Sequence, residues 1–204
     1  MPSNPYDERY QKPGYYWGTK PSVLCDHLLS FIPESQRASK LVVDIGCGEG
    51  RNAVYMALNG LNVWAMDASE VALKKVVQMA QENGVLVATS CQDINGCDLP
   101  TGFDILLSTG TVQYLRPDSR QAEFERMKRL TKPGGLHAIS ALLTKPFIPA
   151  APDADATAVL FKSGELLGYY WDWEVLYSIE EIFDCTSGGT PHRHAVNRVI
   201  AKKP

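Results

Sequence analysis

The sequence predicts an α/β fold, a doubly wound Rossmann-like sheet whose strands are mostly parallel. Three observations carry this. Short apolar runs alternate with segments of helical period along the chain. The first run, Val42-Val43-Asp44-Ile45, leads into a glycine-rich turn, Gly46-Cys47-Gly48-Glu49-Gly50, and then a helix. The later runs end in acidic or hydroxyl residues, as the ligand-binding edge of a parallel sheet does.

The elements follow in order. The segment to Lys20 is aromatic and polar and reads as irregular. Pro21 to Phe31 reads as a helix, because Val23, Leu24, His27, Leu28 and Phe31 recur at helical spacing. Leu41 to Ile45 is the first strand. Asn52 to Asn59 is the first crossover helix, stopped at Gly60. Leu61 to Met66 is a second strand, ending at Asp67. Ser69 to Asn83 is a helix, with Ser69 as N-cap and Gly84 as its stop. Val85 to Ser90 and Phe103 to Ser108 are the third and fourth strands. Pro117 to Leu130 is a helix with a solvated charged face (Glu123, Glu125, Arg126, Lys128, Arg129). Lys132 to Gly135 is a turn, and Leu136 to Leu143 a fifth strand. Lys145 to Thr157, with three prolines, reads as a surface loop or lid. Ser163 to Trp171 is a short helix. Trp173 to Ile179 and Ala195 to Ala201 are further strands, joined through Gly188 and Gly189. No linker separates a second domain, so residues 1–204 read as one. An N-terminal cap and helix (1–35) precede a core (40–143), and a loop, short helix and final strands (144–204) follow.

Composition bounds the function. A chain of 204 residues with 45% hydrophobic and 21% charged residues can bury a core and need not be disordered. A net charge of -3 argues against nucleic-acid binding. No apolar run approaches the roughly 20 residues of a membrane span, and the N-terminus lacks a secretory apolar core. A cytoplasmic location is the expectation, with a monomer or homodimer. The five cysteines form no CxxC pair, and Cys91 and Cys97 are not at a paired-ligand spacing, so neither a disulfide framework nor a metal site is expected.

The turn suits a nucleoside ligand. Gly46 and Gly48 let the backbone bend sharply and approach a ligand, and the following helix aims free N–H groups at it. A dinucleotide fingerprint would place its third glycine at the sixth position, where this chain has Arg51. Asp44 can orient an amino group of the ligand. Asp67, followed by Ala68, can accept ribose hydroxyls. Asp93 can take an adenine amino hydrogen while Ile94 covers the ring. Ser108 and Thr109 end the fourth strand beneath the remainder of the ligand. Cys47, Asn52 and, from the N-terminal segment, Trp17 complete the expected cofactor-binding set.

The segments DIGCGEGRN (44–52), AMD (65–67), QDI (92–94), FDILLSTGTVQYL (103–115) and LTKPGG (130–135) together resemble class I S-adenosylmethionine-dependent methyltransferases. With FKSGELLGYYWDWEVL (161–176), the chain resembles the tellurite-resistance methyltransferases and their thiopurine-methyltransferase-like relatives. That resemblance implies S-adenosyl-L-methionine as cofactor and a seven-stranded sheet with an antiparallel last strand. It also implies a small, soft, anionic or thiol-like methyl acceptor, such as a tellurite-like oxyanion.

Methyl transfer needs an acceptor in line with the sulfonium methyl, and neither a metal nor a covalent nucleophile. Tyr16 and Trp17 either close over the cofactor or anchor the N-terminus on the core. If the segment from Pro191 to Arg198 is extended, His192, His194 and Arg198 share one face at period two. They are the candidate catalytic residues, able to bind an oxyanion and accept a proton; the other reading is a polar hairpin edge. His27 and His137 read as structural. The alternatives to a methyltransferase are a nicotinamide-dependent oxidoreductase and a non-catalytic adenosyl-ligand binding module. The first lacks the third glycine and a hydride-transfer set.

Overall fold

The computed structural model describes residues 6–152, 154–186 and 189–204. Seven strands form one sheet: β1 (Leu41–Ile45), β2 (Asn62–Asp67), β3 (Ala88–Cys91), β4 (Phe103–Thr109), β5 (Thr131–Leu143), β6 (Glu174–Cys185) and β7 (His192–Lys202). Their spatial order is β3-β2-β1-β4-β5-β7-β6. The pairings from β3 through β5 are parallel, and β7 runs antiparallel between β5 and β6. The order reverses beside β1, where β2 and β4 lie on opposite sides of it. That is the switch point at which open α/β sheets bind ligands.

Helices cover both faces, as near-continuous apolar strands require. On one side pack α2 (Val23–Ser30), α4 (Arg51–Leu58) and α5 (Glu70–Glu82). Leu24, Leu28, Met56 and Val76 from these helices meet Val42, Ile105, Ala138 and Ile200 of the sheet. On the other side α6 (Arg120–Leu130) and α7 (Glu165–Gly168) bring Phe124, Met127 and Leu166 against Val43, Leu106, Ile139 and Val199. Ser69 caps α5 by accepting the Ala72 N–H at 3.1 Å.

Several elements differ from the sequence reading. The opening segment holds a short helix, α1 (Asp7–Tyr10), whose Asp7 accepts a hydrogen bond from Ser69 Oγ at 2.6 Å. A further short helix, α3 (Glu34–Arg37), precedes β1, and a 3₁₀ turn, Val112–Tyr114, follows β4. The expected turn at Lys132–Gly135 lies inside β5. Thr131 pairs with Phe103, Leu136 pairs with Ile105, and the register shift between them absorbs the glycines. The last two strands are longer than the apolar pattern predicted, because their outer halves alternate polar residues over a half-exposed edge. Gly188 lies outside the described residues.

The α6 charges are not all solvated either. Lys128 is buried and donates to Asp172 at 2.5 Å and to the Tyr169 carbonyl at 3.1 Å. Arg120, also buried, pairs with Glu165 at 2.7 Å. These two cations fasten the α7 segment to α6. His137 is fully buried between the Thr131 hydroxyl (2.7 Å) and the Tyr170 hydroxyl (2.8 Å). Burial, with Lys128 and Lys203 nearby, lowers its pKa to about 3, so it stays a neutral core residue.

Candidate cofactor and acceptor site

The glycine turn is held against β2. The N–H groups of Gly46 and Cys47 both donate to the Met66 carbonyl, at 2.8 and 3.0 Å. Gly46 has φ +69°, and a Cβ there would collide with the Thr111 side chain, so only glycine fits. Gly50 opens α4 in the left-handed region, with φ +95°.

Asp67 closes β2 under this turn. Its carboxylate accepts the N–H of Gly48 at 2.8 Å and of Ser69 at 3.0 Å. Burial raises its pKa, opposed by those N–H groups. Two oxygens can accept more than two bonds, so capacity for hydroxyl donors remains.

Asp44 is different. It is fully buried at the end of β1, and neither carboxylate oxygen has a hydrogen-bond partner. Burial first, then Asp67, raises its pKa to about 7, with Arg51 pulling the other way. An ionisable group with both acceptors orphaned is costly and calls for a cationic donor. The ammonium of an adenosyl-methionine ligand has the charge and the N–H groups that this carboxylate lacks. The residues present therefore fit the cofactor.

The rest of the expected set divides. Ser108 is fully buried and donates to the Ile45 carbonyl at 3.0 Å, tying β4 to β1. Asn52 donates to Thr109 Oγ1 at 2.8 Å and accepts the Ser22 N–H at 2.9 Å. These side chains brace the floor of the turn from below. Cys47 and Ile94 are buried in the two core clusters, and Ala68 is exposed beside Asp67. Asp93 is exposed, one oxygen taken by the Asn95 backbone at 2.7 Å and by its amide at 2.9 Å.

The sequence offered Tyr16 and Trp17 as a cover over the cofactor or an anchor for the N-terminus, but it did not single out Tyr6 and Tyr10. Tyr10 is buried, and its hydroxyl accepts from Trp17 Nε1 at 3.3 Å close above Gly48. The Trp17 backbone is clamped from both ends. Its N–H donates to Glu49 at 3.2 Å, and its carbonyl accepts from Arg51 at 2.9 Å. Glu49 is itself buried and paired with Lys75 at 2.8 Å. The hydroxyls of Tyr6 and Tyr114 meet at 2.6 Å, which links this cap to the 3₁₀ turn after β4. The available signal was Glu49-Gly50-Arg51, two opposite charges flanking the start of α4.

The three acceptor-side candidates lie on β7. Alternation puts His192, His194 and Arg198 on one face, the one whose inner end carries Ile200 against α2. His192 and His194 meet Nε2 to Nε2 at 2.9 Å. Arg198 does not join them. Its guanidinium pairs with Glu181, and burial lowers its pKa. β7 pairs with β5 from Leu143↔Ala195 onward, so His192 and His194 stand at the carboxyl edge of β5, the same sheet edge as the glycine turn.

Comparison with known proteins agrees with this fold. A probable S-adenosyl-L-methionine-dependent methyltransferase TehB of Haemophilus influenzae is 30% identical over 66% of this chain and 46% of its own. A protein named hemagglutinin 1 from Eikenella corrodens is 30% identical over 79% of this chain and 54% of its own. The chain thus spans about half the length of the curated relatives it matches. The crystal structure of TehB from Haemophilus influenzae superposes with a TM-score of 0.76 at 23% identity, covering 98% of this chain and 66% of that one. The family described as tellurite resistance protein TehB matches residues 34–191. With its switch-point glycine turn and seven-stranded sheet, the chain belongs to that family.

Proposed function

We propose that this chain is a methyltransferase that moves a methyl group from S-adenosylmethionine to a small acceptor. The single observation that carries this reading is Asp44, a buried carboxylate with two unpartnered oxygens at the mouth of the glycine turn. Membership of the TehB family and the name of the Haemophilus influenzae relative support it. When bound, the cofactor supplies an activated methyl on a sulfonium, so the protein's part is alignment, charge and exclusion of water.

Asp44 holds the amino end, Asp67 the ribose hydroxyls, and Asp93 with Ile94 the adenine. Gly46, Cys47 and Gly48 give the close backbone approach, and Trp17 with Tyr10 closes over it. Asn52, Ser108 and Thr109 keep β1, β4 and α4 in register beneath the ligand. Ala68 leaves room beside the Asp67 carboxylate.

On the acceptor side, His192 and His194 offer imidazoles at the sheet edge, and Arg198, paired with Glu181, lies further along the same face. That set suits a small anionic or thiol-like acceptor, a tellurite-like oxyanion among them. No strand-end motif for holding a nucleobase or peptide amide is needed. Among the described residues no helix is long and apolar enough to cross a membrane. The five cysteines form no disulfide, which fits a reducing compartment, the cytoplasm. Residues 1–204 act as one methyltransferase unit on this reading, as a monomer or homodimer.

The test is methyl transfer to oxyanions of tellurium and selenium and to aromatic thiols, run beside a cofactor titration. Cofactor binding with transfer to one of these classes supports the proposal. Binding without transfer to any of them leaves an adenosyl-ligand binding module and removes the acceptor assignment.

A further inference from the structure

The β6–β7 hairpin end gathers three metal-ligating side chains. Cys185 stands directly opposite His192 in the ladder, and His194 lies two residues on. Opposed residues and i, i+2 neighbours share one face of a sheet, so all three project to the same side. One donor atom from each lies within 4.8 Å of the other two. None of the three is exposed beyond an intermediate level.

The hydrogen bonds set the tautomers. His192 Nδ1 meets the Thr190 carbonyl at 2.7 Å. A carbonyl only accepts, so Nδ1 carries the proton, and in the neutral ring Nε2 presents a lone pair. A ligating histidine anchors itself in the same way, donating its other ring N–H to a carbonyl. His194 then donates its Nε2 proton to His192 Nε2 at 2.9 Å. The Phe183 ring, 5.6 Å away between centroids, limits the rotation of His194. With Zn–N bonds of about 2.0–2.1 Å, a tetrahedral ion separates its two nitrogens by about 3.3 Å. The pair needs to open by only a few tenths of an ångström.

We propose that Cys185, His192 and His194 form a three-ligand site for a zinc-like divalent ion, with the fourth position open to water or an anion. Binding releases the thiol proton to solvent and moves the His194 ring proton to Nδ1. Nothing is oxidised or reduced. The ion stands at the sheet edge assigned above to the acceptor, and it deepens that reading by placing a cation where an anionic or thiolate acceptor would arrive. Its test reads metal and not methyl transfer, so the two proposals fail separately.

The probe is cobalt(II) added to the reduced, metal-free protein, followed by competition with zinc. The expected result is one equivalent bound, a thiolate-to-cobalt charge-transfer band, the visible bands of a tetrahedral ion, and displacement by zinc. Cys185→Ser removes the charge-transfer band. His192→Gln or His194→Gln weakens binding by at least the ~10–100-fold that follows loss of a ligand's own support. Cys91→Ser, at an exposed cysteine away from the site, leaves the spectrum unchanged. Unaltered S-adenosylhomocysteine binding by each variant shows that it is folded. A spectrum without thiolate character, one insensitive to Cys185→Ser, or no stoichiometric binding overturns the proposal.

Discussion

Asp44 and Asp67 end two adjacent parallel strands but have opposite surroundings. Asp67 accepts two backbone N–H groups, from Gly48 and Ser69, whereas Asp44 accepts none. One carboxylate is held by its own turn. The other has no hydrogen bond from the protein to either of its oxygens.

Asp44 therefore makes ligand-free stability depend on pH. Its folded pKa is about 7 against 3.8 for the free side chain. Between these values the folded protein holds a proton that the unfolded chain has lost. Stability then falls as pH rises through that window and levels off above it. The difference corresponds to a cost on the order of 4 kcal/mol above pH 7, at roughly 1.4 kcal/mol per pH step. Asp44→Asn should raise the ligand-free melting temperature at pH 8 and change it little at pH 4. With S-adenosylhomocysteine bound, the order should reverse, because the ammonium then pairs only with the wild-type carboxylate. Thermal scans at both pH values, with and without ligand, check this.

The same group should link cofactor binding to protons. Below pH 7 a cationic ligand must expel the Asp44 proton, so affinity should rise with pH and level off above 7. Calorimetry at pH 6 in two buffers of different ionisation enthalpy should report proton release, and Asp44→Asn should abolish it. Equal heats in both buffers for the wild type would remove Asp44 from the ligand's amino group.

Asp67→Ala should weaken cofactor binding by roughly ten- to a hundredfold, since losing a charged hydrogen-bond partner costs ~1.5–3 kcal/mol. It also leaves the Gly48 and Ser69 N–H groups unpaired, so ligand-free stability should fall as well. Wild-type affinity in a folded Asp67→Ala protein would reassign the ribose site.

Gly46→Ala places a methyl group in a left-handed position against Thr111. It should cost about 1–2 kcal/mol for the backbone and ~1–3 kcal/mol for overpacking. Combining it with Thr111→Gly should recover the packing part alone. Denaturant unfolding of the two variants measures both parts.

Much of the fold could be read from apolar runs, because parallel strands covered on both faces are written as continuous Val, Leu and Ile. The turn from Asp44 to Gly50 was legible for a related reason: only glycine fits its backbone angles. The cap was only partly so. Tyr6, Tyr10 and Trp17 touch Tyr114, Gly48 and Glu49 through contacts far apart in sequence. Nothing local distinguishes such aromatics from a surface segment. The ends of β6 and β7 were underestimated because Cys185, His192 and His194 are polar edge residues with no apolar period. Lys128 misled for the opposite reason, since its partner Asp172 lies on a distant segment.

The described residues of the 145–157 segment follow β5 at the same sheet edge, and Asp153 lies outside them. Asp155 lies close enough to Tyr6 and Tyr114 to raise both phenol pKa values, although burial is the larger cause for each. The loop thus meets the aromatic cap. We infer that it is a wall of the acceptor site, and its amide exchange should slow when product cofactor and acceptor are both bound. Unchanged exchange under saturating ligands would reduce it to a surface connection.

The most direct test of the central claim is a calorimetric titration of the purified protein with S-adenosylmethionine, S-adenosylhomocysteine and NAD. The account predicts one adenosyl-methionine or adenosyl-homocysteine ligand per chain, bound more weakly by Asp67→Ala, and no binding of NAD. Binding of NAD with neither S-adenosyl ligand would contradict it.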